Sequence, residues 1–282
     1  MLSLKPALRT EAHAFFGFLE RQKNLIRRYW LWEAVWLVYS LVSVLSIGYL
    51  AAGLGSGLGG AAPGAVDLER AELYLLVGAL LWAYLSIVFM EISFSVMWER
   101  WEGTIEYTFM APVRRVTHLL GVCAFAILYG LLRTLAVLVI ALLLFHLDVS
   151  RADGGAALAV LAVSTFPLVG LGVLASVLPL LSPERGEQMT VAMQGVLLLA
   201  SGVYYPISVL PGPVQLLARA SPMTYTLDGI RATLIDGRGL ADVAPDLLAL
   251  LVMGAVLLPL GLLTFGWAER RAKRLGLLKR SG

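Results

Sequence analysis

The chain has 282 residues, of which 59% are apolar and only 15% are charged, and its mean hydropathy is +0.81. Soluble domains are about 45–50% apolar and about 25% charged, so this composition indicates an integral membrane protein. A formal net charge of +3 argues against a nucleic-acid partner, and the single cysteine, Cys123, excludes an intrachain disulfide or a thiolate metal cluster. The three histidines lie far apart in the chain, so we expect no metal site.

Residues 1–28 predict an amphipathic helix that lies in the inner interface of the membrane. The apolar residues that share one face of this helix are Leu8, Ala12, Phe15, Phe16 and Leu19. A signal peptide is the poorer interpretation, because the first long apolar run begins only after Arg28 and is longer than the apolar region of a signal sequence. We therefore expect this segment to belong to the folded protein.

Six apolar stretches are long enough to cross a bilayer as helices, since about 20 helical residues cover about 30 Å of hydrocarbon. They lie at residues 34–50, 73–98, 119–145, 154–183, 189–205 and 247–267. A glycine-rich segment, residues 53–64, follows the first of them and predicts a non-helical outer connection. The predicted fold class is an all-α integral membrane protein whose six-span transmembrane domain covers residues 29–268.

The distribution of lysine and arginine predicts the orientation of these spans. With the N terminus inside, the inner segments contain 16 of these residues and the outer segments contain 5. The aromatic residues at positions 29, 30, 32, 98, 101 and 267 all fall at the inner interface, as membrane anchors do. We therefore expect both termini in the cytoplasm, a plasma (inner) membrane location with lipid around the chain, and a basic cytoplasmic tail at residues 269–282.

The inner loop between the second and third spans, about residues 99–116, carries acidic and aromatic side chains that suit contact with a partner protein. It begins Glu99-Arg100-Trp101-Glu102-Gly103-Thr104-Ile105-Glu106. Thr104 is a suitable N-cap for a short helix, and Pro112 would end that helix. Composition alone favours a docking surface and a solvated loop with interface tryptophans about equally.

The outer segment between the fifth and sixth spans, about residues 206–236, is too apolar for a plain loop. Ser221 followed by Pro222 predicts the start of a helix, and Asp236-Gly237 predicts its end. Such a segment is tolerated at membrane depth only where protein covers it, so we predict two short helices that re-enter the outer leaflet. The bulky and proline residues that predict an extracellular gate, rather than a passive cap, are Ile207, Val209, Leu210 and Pro211.

Two ionisable residues, Glu91 and Arg133, lie within the predicted spans. A cation near the midplane of the membrane is costly unless it faces protein or water, so we expect Arg133 to have a partner. A buried ion pair or hydrogen-bond network that holds the spans together is the favoured interpretation, and a role in substrate binding or gating stays open.

Two segments resemble those of a known family, the type-2 ABC (ATP-binding-cassette) exporter permeases. Glu102-Gly103-Thr104-Ile105-Glu106, followed by Pro112, resembles the E-G-T-(L/I)-E…P pattern of that family's first cytoplasmic loop. The run Tyr205-Pro206-Ile207-Ser208…Leu210-Pro211, then Ser221-Pro222-Met223-Thr224-Tyr225…Asp228-Gly229-Ile230-Arg231, resembles the segment before its last span. Both segments occur in the expected order within a six-span chain, so the resemblance covers nearly the whole sequence.

The resemblance implies the permease subunit of an ATP-driven exporter. Among the cargoes of such permeases, spans rich in Leu, Val and Ala favour a hydrophobic or amphipathic substrate, a drug or lipid-like molecule. The resemblance also implies a second permease chain, identical or related, and a separate ATPase subunit. The residues expected to couple to that ATPase are Glu99, Glu102, Gly103, Thr104, Glu106 and Pro112. None of the four lysines follows a glycine, as a phosphate-binding P-loop requires, so ATP and magnesium are expected in the partner, and no catalytic residue or cofactor in this chain.

Three other functions stay open. A permease of the same type that exports a polysaccharide or a glycolipid would have the same sequence features. A lipid-modifying membrane enzyme would need clustered acid, base or metal-binding residues near one interface, and no such cluster is visible in the sequence. A secondary transporter would more often show internal repeats and a path of ionisable residues through its spans.

Overall fold

The computed structural model describes residues 4–56, 65–145 and 152–278, and all regular structure within them is helical. This confirms the predicted all-α fold class. The helices are α1 (Leu4–Arg28), α2 (Trp30–Ser56), α3 (Ala65–Trp101), α4 (Ile105–Met110), α5 (Arg115–Phe145), α6 (Gly154–Leu181), α7 (Gly186–Ala200), α8 (Gly212–Arg219), α9 (Pro222–Leu234) and α10 (Ala244–Leu275). A 3-10 turn, Ile207–Val209, precedes α8.

Within the described ranges, five helices are long and apolar enough to cross a membrane: α2, α3, α5, α6 and α10. They coincide with the first, second, third, fourth and sixth predicted spans. The fifth predicted span corresponds to α7, which has only 15 residues. At about 1.5 Å per residue it covers about 22 Å, less than a hydrocarbon core of about 30 Å. The count of six spans therefore stays a prediction.

The helix α7 ends at Ala200 rather than near residue 205 for an identifiable reason. Gly202 has a φ of +68°, in the left-handed region that glycine adopts without steric cost. In a continuing helix the carbonyl of Gly202 would face Pro206, which has no N–H to donate. The carbonyls of Gly202 and Val203 instead accept hydrogen bonds from Arg231, at 3.0 and 2.5 Å.

Two helices are longer than the sequence predicts. The helix α2 continues through Gly53 to Ser56, although a non-helical connection was expected from residue 53. The helix α10 continues to Leu275, so residues 269–275 of the expected tail form the end of this helix. An i,i+4 ion pair of 2.8 Å between Glu269 and Lys273 supports that extension. Residues 57–64 of the connection and 279–282 of the tail lie outside the described residues.

The helices α6 and α10 pack closely through glycines. A Cβ at Gly170 would lie 2.6 Å from the carbonyl carbon of Leu257, and one at Gly261 would lie 2.8 Å from the carbonyl oxygen of Gly170. Small residues allow membrane helices to approach this closely, and the contact then gains dispersion energy along both backbones. This pair of helices forms one wall of the bundle.

The helix α3 is at the centre of the bundle. Its residues Leu85, Phe89 and Ile92 are fully buried, and it contacts α2, α5, α6, α7 and α9. On the α6 side the approach is close, since a Cβ at Gly172 would lie 2.9 Å from Ile92. The helices α2 and α7 lie beside another face of α3, and this arrangement positions the cavity described below.

The helix α1 packs against α5, so it is more than an isolated interface anchor. A Cβ at Gly121 of α5 would lie 2.8 Å from the Cβ of Phe18. The side that faces the protein includes Phe18 and Arg21, whereas Ala12 and Phe16 of the predicted apolar face are exposed. The helix is rotated from the predicted orientation because Arg21 reaches polar partners at the end of α3, which leaves the exposed apolar residues for lipid.

Candidate functional site

The end of α3 turns sharply into α4 at Gly103, whose φ is +71°. The backbone N–H of Gly103 donates to the carbonyl of Arg100 at 3.0 Å, and that of Thr104 donates to the carbonyl of Glu99 at 2.8 Å. These two bonds form a Schellman motif, in which glycine supplies the left-handed residue. Thr104 then occupies the N-cap position of α4, and the chain becomes extended before Pro112. The predicted bounds of this short helix are confirmed, but the Thr104 hydroxyl contacts Arg21 and the Glu99 carbonyl and makes no capping hydrogen bond.

Arg21 of α1 binds three polar side chains of this turn. Its Nη1 donates to Glu99 Oε1 at 2.9 Å, and its Nη2 donates to Glu102 Oε2 at 2.8 Å and to Thr104 Oγ1 at 2.7 Å. Burial alone would lower the pKa of Arg21, but Glu99 and Glu102 together raise it above its ordinary value. The guanidinium therefore stays charged and bridges α1 to the α3–α4 turn.

The same network continues from Glu99 into α5 and α10. His118 Nε2 lies 3.0 Å from Glu99 Oε1, and Arg115 Nη1 lies 3.4 Å from His118 Nδ1. Arg115 also donates two hydrogen bonds to Glu269 of α10, at 3.2 and 3.1 Å. Four helices are thus joined by polar and charged side chains at this end of the bundle.

The helix α4 is held to the body of the protein on one side only. Ile105 and Phe109 are buried, and the guanidinium of Arg115 lies over the Phe109 ring, 4.1 Å from its centroid. Arg115 Nη1 also donates to the carbonyl of Thr108 at 3.4 Å. The opposite side of α4 is free in this chain, so its position is fixed while its outward side chains can contact another molecule.

The six predicted coupling residues divide into two groups. Glu99 is only 3% exposed, so its carboxylate lies within the charged network and not on the surface, and its part in coupling stays a prediction. Glu102 and Thr104 are turned toward Arg21, and Gly103 forms the turn. These four residues position α4. Arg21, which lies 78 residues before Glu99 in the chain, attracts the carboxylates of Glu99 and Glu102 toward α1. Of the predicted set, only two residues are exposed: Glu106 and Pro112.

Sequence reasoning missed two prominent residues on the outward side of α4. Tyr107 is 75% exposed and Met110 is 72% exposed. They follow Glu106 at the i+1 and i+4 positions, so the three side chains cover about 100° of one side of the helix, with Met110 between Glu106 and Tyr107. The sequence could have identified Tyr107 and Met110, because both are large side chains in a short helix whose buried face is formed by Ile105 and Phe109. We call Glu106, Tyr107 and Met110 the α4 surface.

A cavity of about 620 Å³ lies between α2, α3 and α7. One face of α3 provides Ile87, Glu91, Phe94, Trp98 and Trp101, which recur at helical spacing. Further lining residues come from α2, α7 and α5, among them Trp32, Glu33, Trp36, Tyr39, Ser40, Arg133, Glu187 and Gln194. The volume lies within the range of about 300–1,000 Å³ that small-molecule sites occupy.

Arg133 finds its predicted partner in a hydrogen-bond network. Its Nη2 donates to Ser40 Oγ at 2.7 Å and to the carbonyl of Trp36, and its Nη1 lies 3.3 Å from the Tyr129 hydroxyl. That hydroxyl in turn donates to Glu33. Glu91 lines the same cavity, but in the described part of the chain no side chain forms an ion pair or a hydrogen bond with it.

The four predicted gate residues lie at the opposite end of α3 from α4. Val209 is 66% exposed, Pro211 is exposed, and Ile207 and Leu210 are partly exposed. None of them is among the residues that line the cavity. In this chain they form an apolar surface at the end of the bundle, next to α8. Whether this surface acts as a gate stays a prediction.

Arg231 fixes the α9 helix beneath that surface. Besides its bonds to the carbonyls of Gly202 and Val203, its guanidinium lies over the ring of Tyr74 on α3, 3.5 Å from the centroid. Gly78, one turn further along α3, leaves the space for this contact, since a Cβ there would lie 2.5 Å from Arg231 Nη2. The segment between α7 and α10 is therefore anchored in the bundle.

Comparison with known proteins identifies one protein family. The sequence model described as "ABC-2 type transporter" matches residues 14–235. This range begins within α1 and ends after α9, so it contains the α4 surface, the cavity and the predicted gate. A comparison with curated proteins found no match.

Proposed function

This chain belongs to the ABC-2 type transporter family as a membrane-spanning subunit, and we propose that it is the permease of an ATP-driven exporter. A separate ATPase chain binds ATP and magnesium, and this chain carries the transport path without an ATP site of its own. The substrate is hydrophobic or amphipathic, drug-like or lipid-like, and leaves the cell across the plasma membrane, with both termini of the chain in the cytoplasm.

One observation carries this proposal: buried and half-buried charges fix α4 while its outward side chains stay exposed. Breaking a buried ion pair is strongly destabilising, so the contacts of Arg21 with Glu99 and Glu102 resist movement of α4 relative to α1 and α3. A surface fixed in this way can pass a rigid displacement from a bound ATPase into three helices of the bundle. Tyr107 and Met110 supply apolar contact area, and Glu106 supplies charge complementarity.

The docking role can be tested by co-purification of the ATPase with variants of α4. Glu106→Lys and Tyr107→Ala should each weaken recovery of the ATPase about tenfold or more, as loss of a central interface residue does. The matched control is Glu20→Lys, which reverses an exposed charge on α1, and which should leave recovery unchanged. Equal recovery with all three variants, each folded in detergent, would contradict the proposed docking surface.

The cavity favours a small amphipathic substrate over the alternative cargoes. A polysaccharide or a glycolipid headgroup would require a longer and more polar path than a largely apolar cavity of about 620 Å³ provides. A lipid-modifying enzyme would need a cluster of catalytic or metal-binding groups. Among the described residues no group of three or more His, Cys, Asp or Glu side chains could hold a metal ion.

A second permease chain, identical or related, completes the path in this proposal. Several side chains that line the cavity are half-exposed, including Trp32, Trp36 and Tyr39, so the cavity is open along one side of the chain. A partner permease across that side would close the cavity from lipid. The outer gate would then form where the two permease chains bring together their copies of Ile207, Val209, Leu210 and Pro211.

Native mass spectrometry of the purified complex should show two permease chains and two ATPase chains. A functional complex with one permease chain would contradict the proposed pairing of permease chains.

A further inference from the structure

The cavity between α2, α3 and α7 has an excess of negative charge. Four charged residues line it, the carboxylates Glu33, Glu91 and Glu187 and the guanidinium of Arg133. Arg133 and Glu33 are joined through the Tyr129 hydroxyl, so these two opposite charges offset one another. Glu187 lies in the first turn of α7, where the helix dipole stabilises an anion. Glu91 forms no ion pair or hydrogen bond among the described residues, and the nearby carboxylate of Glu33 repels it while Arg133 attracts it without contact.

The excess of negative charge in the cavity is costly because Glu91 lies within a membrane-spanning helix. It lies ten residues before the end of α3, about 15 Å along the helix from the α4 turn. A carboxylate within a membrane-spanning helix is costly, and such residues face a path or pair with an opposite charge. Arg133 attracts Glu91 electrostatically but does not contact it, because its Nη atoms bind Trp36, Ser40 and Tyr129 instead. The Glu91 carboxylate faces the cavity without a direct counter-ion among the described residues, so a bound cation would complete the pairing.

The aromatic lining of the cavity favours a cation as that molecule. Trp98 and Phe94 lie on the same face of α3 as Glu91, and Trp36 and Tyr39 line the cavity from α2. The faces of aromatic rings carry partial negative charge, and tryptophan attracts cations most strongly. The same ring faces disfavour an anion, and they provide apolar area for a hydrophobic body.

We propose that this cavity binds amphipathic organic cations, with Glu91 as the counter-charge and the surrounding aromatic rings as the apolar walls. The inference rests on the proposed permease function and narrows its substrate class from amphipathic molecules in general to those with a positive charge. Glu91 contacts the cationic centre directly, and the Arg133–Tyr129–Glu33 network holds α2 and α5 in place at the edge of the cavity.

Two probes of nearly the same shape and opposite charge test the proposal. Tetraphenylphosphonium is a hydrophobic cation, and tetraphenylborate is its anionic counterpart. Binding of each to the purified full-length chain in detergent is measured by equilibrium dialysis, for the wild type and for Glu91→Gln, which removes the charge and keeps the shape. Because the two probes partition differently into detergent, the wild type and the variant are compared for each probe separately.

The proposal predicts that Glu91→Gln weakens tetraphenylphosphonium binding about tenfold or more, which corresponds to about 1.4 kcal/mol, and does not weaken tetraphenylborate binding. Glu91→Asp keeps the charge and should retain most of the affinity for the cation. The control Glu20→Gln removes an exposed carboxylate from α1 and should change neither affinity. Equal weakening for both probes, or no change for the cation, would overturn the proposal, provided that circular dichroism shows the variant to be folded.

A transport measurement separates this proposal from the proposed function. The chain is reconstituted in liposomes with the ATPase that co-purifies with it, and ATP-driven movement of tetraphenylphosphonium is followed. Charge-selective binding without ATP-driven movement of any substrate would support the cation site and contradict the exporter. ATP-driven movement of a neutral amphipath, with no charge selectivity in binding, would support the exporter and overturn the cation site.

Discussion

Replacement of Arg21 by alanine should destabilise the end of the bundle that carries α4. The substitution removes three hydrogen bonds of 2.9, 2.8 and 2.7 Å, to Glu99, Glu102 and Thr104. It leaves the carboxylate of Glu99, only 3% exposed, without its arginine. Removal of one partner of a buried ion pair costs about 3–5 kcal/mol. Because the Arg21 side chain is 27% exposed and Glu102 can become hydrated, we expect about 3 kcal/mol, the lower limit of that range.

The free energy of unfolding can be measured by denaturant titration in detergent micelles. Arg27→Ala is the matched control, since Arg27 lies on the exposed side of α1 and should change stability by no more than about 0.5 kcal/mol. A double-mutant cycle isolates the ion pair: with Glu99→Gln already present, Arg21→Ala should cost at least about 1.5 kcal/mol less than in the wild type. Equal costs for Arg21→Ala and Arg27→Ala, or strict additivity in the cycle, would refute this reasoning.

Three further predictions follow from the fold. Gly170→Val should destabilise the chain by about 2 kcal/mol or more, because a Cβ there would lie 2.6 Å from the backbone of Leu257. The control Gly266→Ala should be tolerated, because a Cβ at Gly266 meets no atom within 4 Å. Equal thermal stability of the two variants would contradict this prediction. Cysteines introduced by Gly60→Cys and Leu275→Cys should react with an impermeant reagent from opposite sides of the membrane, and labelling from one side would contradict the predicted topology. Ile207→Ala with Leu210→Ala should raise passive leak in proteoliposomes if these residues form a gate, and unchanged leak with lower thermal stability would indicate a cap.

Hydropathy was sufficient to locate the long helices because a membrane span is a local property of the chain. Apolar runs such as residues 119–145, which carry the single charge of Arg133, and residues 247–267 form α5 and α10, with boundaries shifted where polar residues extend the helix beyond the apolar run. The early end of α7 could not be predicted in this way. It depends on Gly202 and Pro206, whose backbone properties hydropathy does not register, and on Arg231, 29 residues beyond Gly202, which binds the carbonyl of Gly202.

The candidate site shows the same division between local and distant causes. The turn at Gly103 and the start of α4 at Thr104 are encoded locally, by a glycine in a left-handed conformation and a residue suited to an N-cap. The inward orientation of Glu99 depends on Arg21 and His118, which lie on two other helices. Likewise, the sequence shows Glu91 and Arg133 to be intramembrane charges. It does not show that they fail to contact each other, because that depends on Arg133 of α5 binding Ser40 of α2 instead.

The most direct test of the permease assignment is transport by the purified complex. The chain and its co-purifying ATPase are reconstituted in liposomes, and movement of an amphipathic substrate is measured with ATP and magnesium, with a non-hydrolysable ATP analogue, and with Glu106→Lys in the permease. The proposed function predicts transport that requires hydrolysis and falls about tenfold or more in Glu106→Lys, while the same complex with Glu20→Lys transports normally. Transport at the same rate without hydrolysis, or without the ATPase chain, would contradict it.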